Sequence, residues 1–362
     1  MKVLVTGAKG FFGRNMCQLL SRKGHTVFEI DLDYTDESLV DYIQSADFIC
    51  HFAGVNRPLD SKDFYSGNYE FTKKLVDLVK ASNKNIPILM TSSIQAALDN
   101  DYGKSKRMAE DYLLNSGLPV YVFRLTNTFG KWARPNYNSV VATFCYNIAH
   151  DLPIEIRDRD YVVKFNYIDD ACNEFLRLIE GDYEGSKELL SLSPIYECTL
   201  GKLADLIYYF KNEIESDRHL PLLHSEFELK LFKTYCNYAT NPMFSLNFAE
   251  DNRGSFEELF KSNKWGQISE NIAHHGITKG GHYHNNKEEI FYTVVGKSEI
   301  VQKNIENGDV ITNIVDGKEP LLVPIKKRYT HKITNIGDED SSTLMWVNEI
   351  FDANNQDTYK FD

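Results

Sequence analysis

Apolar runs alternate with amphipathic segments over the first 130 residues. The strand-like runs are Lys2–Thr6, His25–Asp31, Ala46–Ala53, Ile86–Ser92 and Val120–Leu125. Between them, Arg14–Lys23 and Phe71–Ala81 carry apolar residues at helical spacing. Strands that alternate with helices form parallel βαβ units, because each crossover uses a helix to return the chain. We therefore predict an α/β fold with a doubly wound parallel sheet.

The pattern changes from about residue 250 onward. Strand-like runs follow one another without intervening helices at Glu289–Val295, Ser298–Gln302, Asp309–Ile314, Leu321–Pro324 and Leu344–Glu349. Turn dipeptides such as Asn307-Gly308 separate them, which favours antiparallel pairing. We place the domain boundary near the Asn241-Pro242 step, with a first domain over residues 1–243 and an all-β domain over 244–362.

Composition narrows the class of protein. The chain has 362 residues, 42% of them hydrophobic and 25% charged, which is typical of a globular protein of about two domains. No apolar run approaches the roughly 18 residues that cross a bilayer, so we expect no membrane insertion. The six cysteines form no CxxC pair and no secretory signal precedes them, which favours a cytoplasmic protein. The net charge of −12 argues against nucleic-acid partners.

A glycine-rich turn follows the first strand. Thr6–Gly13 reads TGAKGFFG, a GxxGxxG pattern between a strand and a helix. Glycines let the backbone approach a pyrophosphate, and the helix N-terminus offers N–H groups to it. A glycine-rich turn that binds no ligand has the same pattern. The position of this turn, between the first strand and the first helix, favours a bound dinucleotide. The predicted cofactor contacts in this segment are Gly7, Lys9, Gly10, Phe11, Phe12, Gly13 and Arg14.

The type of dinucleotide stays open at this stage. Asp31 ends the second strand, where a carboxylate usually accepts from a ribose hydroxyl and repels a 2′-phosphate, which favours NAD. Lys9 and Arg14 favour the opposite, because either cation could neutralise that phosphate. An alternative that is equally good is that Lys9 and Arg14 are solvent-exposed side chains that contact no phosphate.

A candidate for proton transfer lies at Asp101–Lys106. Tyr102 and Lys106 form YxxxK, which places both side chains on one helix face. A nearby ammonium and the charge of an oxidised nicotinamide should lower the pKa of the phenol, which can then donate a proton to a carbonyl oxygen. Ser93, at the end of a strand, can hold the same carbonyl and is preferred over Ser92. The alternative is an exposed helix tyrosine beside a solvated lysine.

Together these motifs resemble the extended short-chain dehydrogenases/reductases of the nucleotide-sugar class, over residues 1–240. His51-Phe52-Ala53-Gly54, Arg124–Asn127 and Phe165–Asp170 add to the likeness. The resemblance implies a Rossmann-like domain with a sugar-nucleotide cap, in which Ala53 and Gly54 lie along the cofactor. It also implies that Asn127 faces the sugar nucleotide. Lys131 and Arg134 are candidate substrate contacts, or parts of a basic loop.

Histidines and a carboxylate predict a metal site in the second domain. His282 and His284 alternate on a strand, so their rings point to one face. Glu289 follows five residues after His284, and His331 lies much later. Three imidazoles and a carboxylate suit zinc or another divalent ion. Glu288 is the alternative carboxylate.

This spacing resembles the cupin motif, and Arg253-Gly254 is similar to a feature of deoxysugar epimerase cupins. The resemblance implies a cupin barrel over residues 245–362. A reductase joined to such a cupin resembles the bifunctional capsular polysaccharide enzymes of the CapF/WbjC type, over essentially the whole chain. Both halves lead us to expect a homodimer.

The CapF/WbjC resemblance implies synthesis of a UDP-N-acetyl-L-fucosamine precursor. The cupin would epimerise UDP-2-acetamido-2,6-dideoxy-4-hexulose, a UDP-4-keto-6-deoxy-HexNAc, at C3. The first domain would then reduce C4 with NADPH to a UDP-2-acetamido-2,6-dideoxy-L-talose. Two alternatives remain at this stage: a dehydrogenase fused to an Fe(II) oxygenase cupin, and a non-catalytic protein whose cupin, with or without metal, only dimerises.

Overall fold

The computed structural model of the protein describes residues 1–181, 189–215, 220–239, 246, 248–262, 265–352, 354 and 356–361. It divides into two compact units, residues 1–207 with 230–240, and residues 208–229 with 241–362. The predicted boundary between residues 243 and 244 lies outside the described residues. None of the helices in the described part of the chain is long and apolar enough to cross a membrane.

The N-terminal unit is built on a parallel sheet. Its strands are β1 (Lys2–Thr6), β2 (Thr26–Ile30), β3 (Phe48–His51), β4 (Ile88–Ser93), β5 (Val120–Leu125), β6 (Asn127–Phe129), β7 (Val162–Tyr167), β8 (Leu189–Leu190) and β9 (Tyr196–Thr199). The main sheet has the order β2-β1-β3-β4-β5-β8, and all its pairs are parallel. A smaller sheet has the order β6-β7-β9. The predicted doubly wound parallel sheet is therefore confirmed.

Helices connect these strands. They are α1 (Phe11–Arg22), α2 (Asp36–Ser45), α3 (Lys62–Phe64), α4 (Phe71–Ala81), α5 (Asp101–Leu114), α6 (Val140–Ala149), α7 (Ile168–Ile179), α8 (Leu200–Glu215) and α9 (Glu226–Cys236). A π-helical turn, Tyr65–Glu70, joins α3 to α4, and a 3₁₀ turn, Ile94–Ala97, follows β4. The first helix begins at Phe11, three residues before its predicted start, because Gly10 is already its N-cap.

The core explains why the central strands form. Val3, Leu4 and Val5 of β1 are fully buried, as are Ile49 and Cys50 of β3. A parallel sheet is covered on both faces, so its strands are continuously apolar rather than alternating. The strand order reverses between β1 and β3, whose carboxyl ends pair Thr6 with His51. In open α/β sheets, ligands bind at this edge.

The C-terminal unit is rich in antiparallel strands. They are β10 (Phe248–Asp251), β11 (Gly254–Ser262), β12 (Gly266–Ala273), β13 (Thr278–Tyr283), β14 (Glu289–Val295), β15 (Lys297–Asn304), β16 (Val310–Asp316), β17 (Leu322–Ile325), β18 (Tyr329–Asn335), β19 (Ser341–Val347) and β20 (Tyr359–Lys360). One sheet has the order β10-β11-β12-β19-β14-β17, and the other the order β16-β15-β18-β13-β20. Phe291, Ile300, Val315, Ile333 and neighbouring apolar side chains form their core.

The antiparallel β domain is therefore confirmed, but the predicted closed barrel is not. Strand pairing among the described residues gives two separate sheets, and no pair of strands joins one sheet to the other. Glu289–Val295 has its predicted bounds, and the other predicted strands are shifted or extended by a few residues. The cupin assignment stays a prediction.

Candidate functional site

The glycine turn after β1 packs so closely against neighbouring backbone that two of its positions have no space for a side chain. Gly7 has a φ of +67°, and an added Cβ there would lie 2.7 Å from the backbone nitrogen of Ala53. A Cβ on Gly13 would lie 2.1 Å from the carbonyl oxygen of Gly7. Gly10, the N-cap of α1, brings no capping side chain to the helix N-terminus. This cradle fits the pyrophosphate of a dinucleotide.

Asp31 holds this turn in place. Its Oδ2 accepts a hydrogen bond from the backbone N–H of Lys9 at 2.7 Å, and its Oδ1 accepts from Leu32 at 2.9 Å. The ammonium of Lys9 pairs with Asp33 at 2.6 Å. The carboxylate of Asp31 thus contacts the turn itself, which adds a structural reason for an acid at this position.

A cavity of about 560 Å³ opens beside the turn, lined by Lys9, Arg14, Glu29 and Trp132 among others. The guanidinium of Arg14 lies over the Trp132 ring, 5.5 Å from its centre. The two predicted cations therefore line one cavity, together with an acid. This composition does not by itself choose between NAD and NADP.

Ser93 and Tyr102 lie together at the carboxyl end of the sheet. Ser93 ends β4, and its hydroxyl accepts from the N–H of Gln95 at 3.1 Å. Asn100 caps α5 by accepting from Gly103 at 2.7 Å, which places Tyr102 in the first turn. Burial raises the pKa of Tyr102, and a hydrogen bond with Ser93 opposes that rise. The lowered pKa expected beside an oxidised nicotinamide stays a prediction, because in the chain by itself burial outweighs the hydrogen bond.

Lys106 is buried one helical turn after Tyr102. Its Nζ donates to the carbonyl oxygen of Thr91 at 3.0 Å. Burial lowers the pKa of Lys106 to about 8, although Glu110 opposes this shift. A Cβ on Gly54 would lie 3.6 Å from Nζ, so this ammonium reaches the predicted cofactor path at Gly54. The structure thus groups Ser93, Tyr102 and Lys106 as predicted, while their catalytic roles stay predictions.

Asn68 is a residue that the sequence analysis missed. It is buried in the π-helical turn, and its Oδ1 accepts from Val55 N–H at 2.9 Å. Its Nδ2 donates to the Val55 carbonyl at 3.0 Å and to Ser105 Oγ at 3.0 Å. Asn68 therefore ties the segment after Gly54 to α5. Nothing in the local sequence pattern indicates a π-helical turn or this cross-link.

His51 was noted only as part of a motif. It is buried between the hydroxyls of Thr6 and Thr72, at 2.7 and 2.8 Å. Burial lowers the pKa of His51 to about 3, and the charge of Lys106 acts in the same direction. A neutral imidazole at this position joins β1, β3 and α4.

The predicted substrate residues occupy less enclosed positions. Asn127 is exposed, and its Nδ2 donates to the Lys164 carbonyl at 3.3 Å. The ammonium of Lys131 pairs with Asp169 at 2.8 Å. Arg134 lies over the ring of Tyr137 at 5.3 Å. These contacts do not assemble the three side chains with Tyr102, and their substrate roles stay predictions.

The four predicted metal ligands lie together in the C-terminal unit. One ligand atom from each of His282, His284, Glu289 and His331 falls within 4.8 Å of the others. Strand pairing causes this, since His282 on β13 lies opposite His331 on β18 after a bulge. The bulge needs glycine at Gly280, which has a φ of +102° and where a Cβ would lie 2.6 Å from the carbonyl oxygen of His331.

Buried ligand atoms that share one carboxylate oxygen support a metal centre. Nε2 of His284 and Nε2 of His331 lie 3.3 and 3.1 Å from Oε2 of Glu289, and Nδ1 of His331 is buried without a hydrogen-bond partner in the described chain. Such atoms are costly unless an ion or another group satisfies them. Three imidazoles and one carboxylate are a donor set that zinc accepts. The residues present therefore fit a divalent ion.

Charge within the cluster is concentrated on Glu289. Burial opposes its ionisation, but hydrogen bonds from His284 and His331 lower the pKa of Glu289 well below its usual range. For His282, burial and then the neighbouring imidazoles lower the pKa to about 4. For His284, burial opposes protonation, but the hydrogen bond and the charge of Glu289 raise the pKa. An ionised carboxylate and an unprotonated imidazole nitrogen are the forms in which these groups ligate a metal.

The other candidates in this unit lie outside the cluster. Glu288 pairs with Lys327 at 2.9 Å and is exposed, so Glu289 is the better carboxylate ligand. His274 contacts Asp340 at 3.0 Å, and His275 contacts the carbonyl of Gly337. Neither histidine is part of the four-residue group.

Asp357 supports the cluster from the end of the chain, and the sequence analysis missed it. Its backbone carbonyl accepts from Nδ1 of His284, and its Oδ2 accepts from Asn286 and Lys287 at 2.6 and 2.8 Å. β20 follows directly and pairs Lys360 with His282. Asp357 and His284 are far apart in the chain, so no local sequence pattern indicates that they are in contact.

The cluster opens into a cavity of about 780 Å³. Its wall contains all four predicted ligands, together with apolar and polar side chains from both sheets of the unit. A divalent ion there would therefore be accessible to a small molecule rather than sealed in a structural site.

Two family models match the chain. Residues 3–190 match the NAD dependent epimerase/dehydratase family. Residues 249–359 match the polysaccharide biosynthesis C-terminal domain. The second match begins where the sequence changes from alternating strands and helices to successive strands, near residue 250.

Relatives of similar length extend the likeness to the whole chain. A UDP-2-acetamido-2,6-beta-L-arabino-hexul-4-ose reductase from Pseudomonas aeruginosa is 41% identical over 99% of this chain and 98% of its own length. The crystal structure of the capsular polysaccharide assembling protein CapF from Staphylococcus aureus is 40% identical, covers 100% of both chains and gives a TM-score of 0.85. A UDP-glucuronic acid 4-epimerase from Bacillus cereus, 17% identical with a TM-score of 0.57 over 66% of this chain and 96% of its own, shares the N-terminal fold.

Proposed function

The chain belongs to the NAD dependent epimerase/dehydratase family and to the CapF-like capsular polysaccharide proteins, and from this premise we propose a bifunctional enzyme. The N-terminal unit is a nicotinamide-dependent reductase that acts on a UDP-linked 4-keto sugar. The C-terminal unit epimerises UDP-2-acetamido-2,6-dideoxy-4-hexulose at C3. The observation that carries the proposal is the full-length relative named as a 4-ketosugar reductase, in a chain that also brings four ligand side chains together.

The reductive step uses the residues at the carboxyl end of the parallel sheet. When bound, NADPH supplies a hydride to C4 of the keto sugar. Ser93 holds the keto oxygen, and Tyr102 donates the proton that converts it to a hydroxyl. Buried Lys106 contributes positive charge beside Gly54, which favours the phenolate left after the proton transfer. The expected product is UDP-2-acetamido-2,6-dideoxy-L-talose.

The epimerising step belongs to the metal cavity. His282, His284, Glu289 and His331 would hold zinc or another divalent ion, which supplies a Lewis acid to a ketone. The proton at C3 is acidic because the adjacent C4 is a ketone. Removal and return of that proton on opposite faces inverts C3 without any redox change. The order is epimerisation first and reduction second, because reduction removes the ketone that acidifies C3.

Several finer features belong to the same proposal. We take NADP(H) as the cofactor because the CapF/WbjC resemblance implies it. A boundary at residues 243 and 244, a cupin fold for the second domain and a homodimer follow from the family resemblance. The six free cysteines, five of them buried, support a reducing compartment such as the cytoplasm.

Substrate-dependent oxidation of NADPH tests the reductase. The full-length protein is mixed with the 4-keto sugar and either NADPH or NADH, and the product is identified by NMR. The proposal predicts faster turnover with NADPH and a talo product. Preference for NADH would overturn the cofactor assignment, and no oxidation with either would overturn the reductase.

A further inference from the structure

A buried acid lies one helical turn beyond Lys106 and has no part in the reductive step described above. Glu110 follows Lys106 by four residues on α5 and is 1% exposed. Its two carboxylate oxygens accept three hydrogen bonds from Arg124 of β5, two from Nε at 3.0 and 3.2 Å and one from Nη2 at 2.6 Å. Acids are almost never fully buried unless they are paired. The pair explains how a buried Glu110 is tolerated, and its position beside Lys106 indicates what it does.

Two contacts hold α5 against the parallel sheet at adjacent turns of the helix. The ammonium of Lys106 donates to the carbonyl oxygen of Thr91 on β4 at 3.0 Å. One turn later, Glu110 accepts from Arg124 on β5, the strand that pairs directly with β4. The strand register places Arg124 opposite Ser92. Together the two contacts fix both the height and the rotation of α5 over the end of β4, where the predicted catalytic serine lies.

The charge of Glu110 acts on Lys106 as well. Residues four apart on a helix are neighbours on its surface, about 5–6 Å apart at Cβ. Lys106 is 8% exposed, so little water screens the two opposite charges from each other. Burial favours the neutral amine and lowers the pKa of Lys106 to about 8, and the carboxylate of Glu110 opposes that shift. Glu110 therefore helps to keep the ammonium charged near neutral pH.

The other charged and titratable groups around this pair do not replace the anion. Burial and then the charge of Lys106 lower the pKa of His51 on β3 to about 3, so this imidazole is neutral. Glu110, and to a smaller extent the exposed Asp111, raise the pKa of Arg124, so its guanidinium stays charged. Among the residues that the structure describes, Glu110 is the anion whose charge reaches Lys106.

We propose that Glu110 is a positioning residue of the reductase, which keeps the ammonium of Lys106 charged and in place beside the predicted cofactor path at Gly54. The inference deepens the proposed function and rests on it, because the charge of Lys106 favours the phenolate that Tyr102 becomes after it donates its proton. Glu110 lies eight residues after Tyr102 on α5, about 12 Å along the helix at roughly 1.5 Å per residue. It therefore acts through Lys106 rather than on the reacting atoms.

The charge of Lys106 is measured directly by NMR, without any substrate. The full-length protein is labelled with ¹⁵N-lysine, and the Nζ signal of Lys106, assigned with a Lys106→Arg variant, is followed against pH. Glu110→Gln keeps the shape of the side chain and removes the anion, so the pKa of Lys106 should fall by roughly 0.5 to 1 pH unit. Arg124→Gln breaks the same ion pair but removes a cation, so it should not lower this pKa.

The second measurement is the pH dependence of NADPH oxidation by the 4-keto sugar. In the unmodified protein the rate should decrease at high pH, as Tyr102 or Lys106 loses its proton. Removal of a nearby anion lowers the pKa of both groups, so Glu110→Gln should move this decrease to lower pH by roughly 0.5 to 1 pH unit, with KM little changed. Asp77→Asn is the control, because Asp77 contacts α5 through the hydroxyl of Tyr112 at 2.5 Å and lies outside this ion pair.

The outcomes separate the two levels of the proposal. If the unmodified protein oxidises no NADPH, the proposed reductase fails, and the NMR titration still decides whether Glu110 sets the charge of Lys106. If NADPH is oxidised and Glu110→Gln leaves both the pKa of Lys106 and the pH profile within about 0.2 pH unit of the unmodified protein, the positioning role is overturned while the reductase stands.

The partner variant separates charge from structure. A decrease of the Lys106 pKa in Arg124→Gln that equals the decrease in Glu110→Gln also overturns the role, because lost structure rather than lost charge would then be the cause. Should circular dichroism show that Glu110→Gln does not fold, Glu110→Asp takes its place. Its side chain is one methylene shorter and keeps its charge, so it should give a smaller decrease, and no decrease overturns the role.

Discussion

The backbone carbonyl of Asp357 accepts a hydrogen bond from Nδ1 of His284, 73 residues earlier in the chain. Because a carbonyl can only accept, Nδ1 carries a proton, so Nε2 is the atom of His284 that would ligate a bound ion. The carboxylate of the same residue holds the N–H groups of Asn285, Asn286 and Lys287. Asp357 therefore fixes both the tautomer of His284 and the loop that follows it.

Loss of this support should weaken metal binding. Asp357→Ala removes the carboxylate that positions the loop, and outer groups of this kind typically change metal affinity by about 10- to 100-fold. We expect a loss of roughly tenfold in zinc affinity, measured by competition with a chromophoric chelator. Asp352→Ala is the control, because the one hydrogen bond of Asp352 among the described residues is accepted from Asn354 at 2.8 Å. Equal affinity in both variants would contradict a role for Asp357.

The ligand set itself predicts a metal requirement. His331→Ala removes one buried ligand candidate that lies 3.1 Å from Glu289. We expect metal content after dialysis, measured by elemental analysis, to fall below that of the unmodified protein, since only three of the four ligand candidates remain. His274→Ala, which alters an exposed histidine of the same unit, should leave the content unchanged. Full metal content in the His331 variant would contradict the assignment.

The phenol of Tyr102 is predicted to supply the proton for reduction. Tyr102→Phe should lower the rate of NADPH oxidation by about 10²- to 10⁴-fold, the usual contribution of a positioned acid. The control is Tyr112→Phe on the same helix, whose hydroxyl contacts Asp77 at 2.5 Å. Activity in the Tyr102 variant that matches the control would remove this residue from the mechanism.

Buried His51 predicts a defined loss of stability in acid. The pKa of His51 is about 3 in the folded chain and its ordinary value is 6.5, so the unfolded chain takes up the proton first as the pH falls. The contribution is constant above pH 6.5 and decreases below it. From pH 7 to pH 5 the free energy of unfolding should fall by about 2 kcal/mol more in the unmodified protein than in His51→Gln. Urea unfolding at both pH values measures this, and equal losses would show that folding does not lower the pKa of His51.

The sequence alone predicted those features that depend on residues close together in the chain. Alternating strand and helix patterns predicted the parallel sheet, and the spacing of His282, His284 and Glu289 predicted a group of candidate ligands that the structure brings together, with His331 added from the later strand. Spacing works here because side chains two residues apart on a strand share a face.

Long-range contacts account for what the sequence did not predict. Asn68 acts through a π-helical turn, and Asp357 acts through a strand at the end of the chain. The raised pKa of Tyr102 was missed for the same reason, since burial depends on the whole unit rather than on the YxxxK spacing. Tertiary burial leaves no periodic pattern in the sequence.

The proposal assigns proton exchange at C3 and hydride transfer to C4 to two separate sites. C3 deuterium incorporation in the full-length Tyr102→Phe and Glu289→Gln variants tests this most directly. The 4-keto sugar is incubated with each variant in D₂O, and C3 is followed by NMR without added NADPH. We predict that the Tyr102 variant incorporates deuterium at the unmodified rate and that the Glu289 variant does not. Loss of incorporation in the Tyr102 variant, or normal incorporation in the Glu289 variant, would contradict separate sites for proton and hydride transfer.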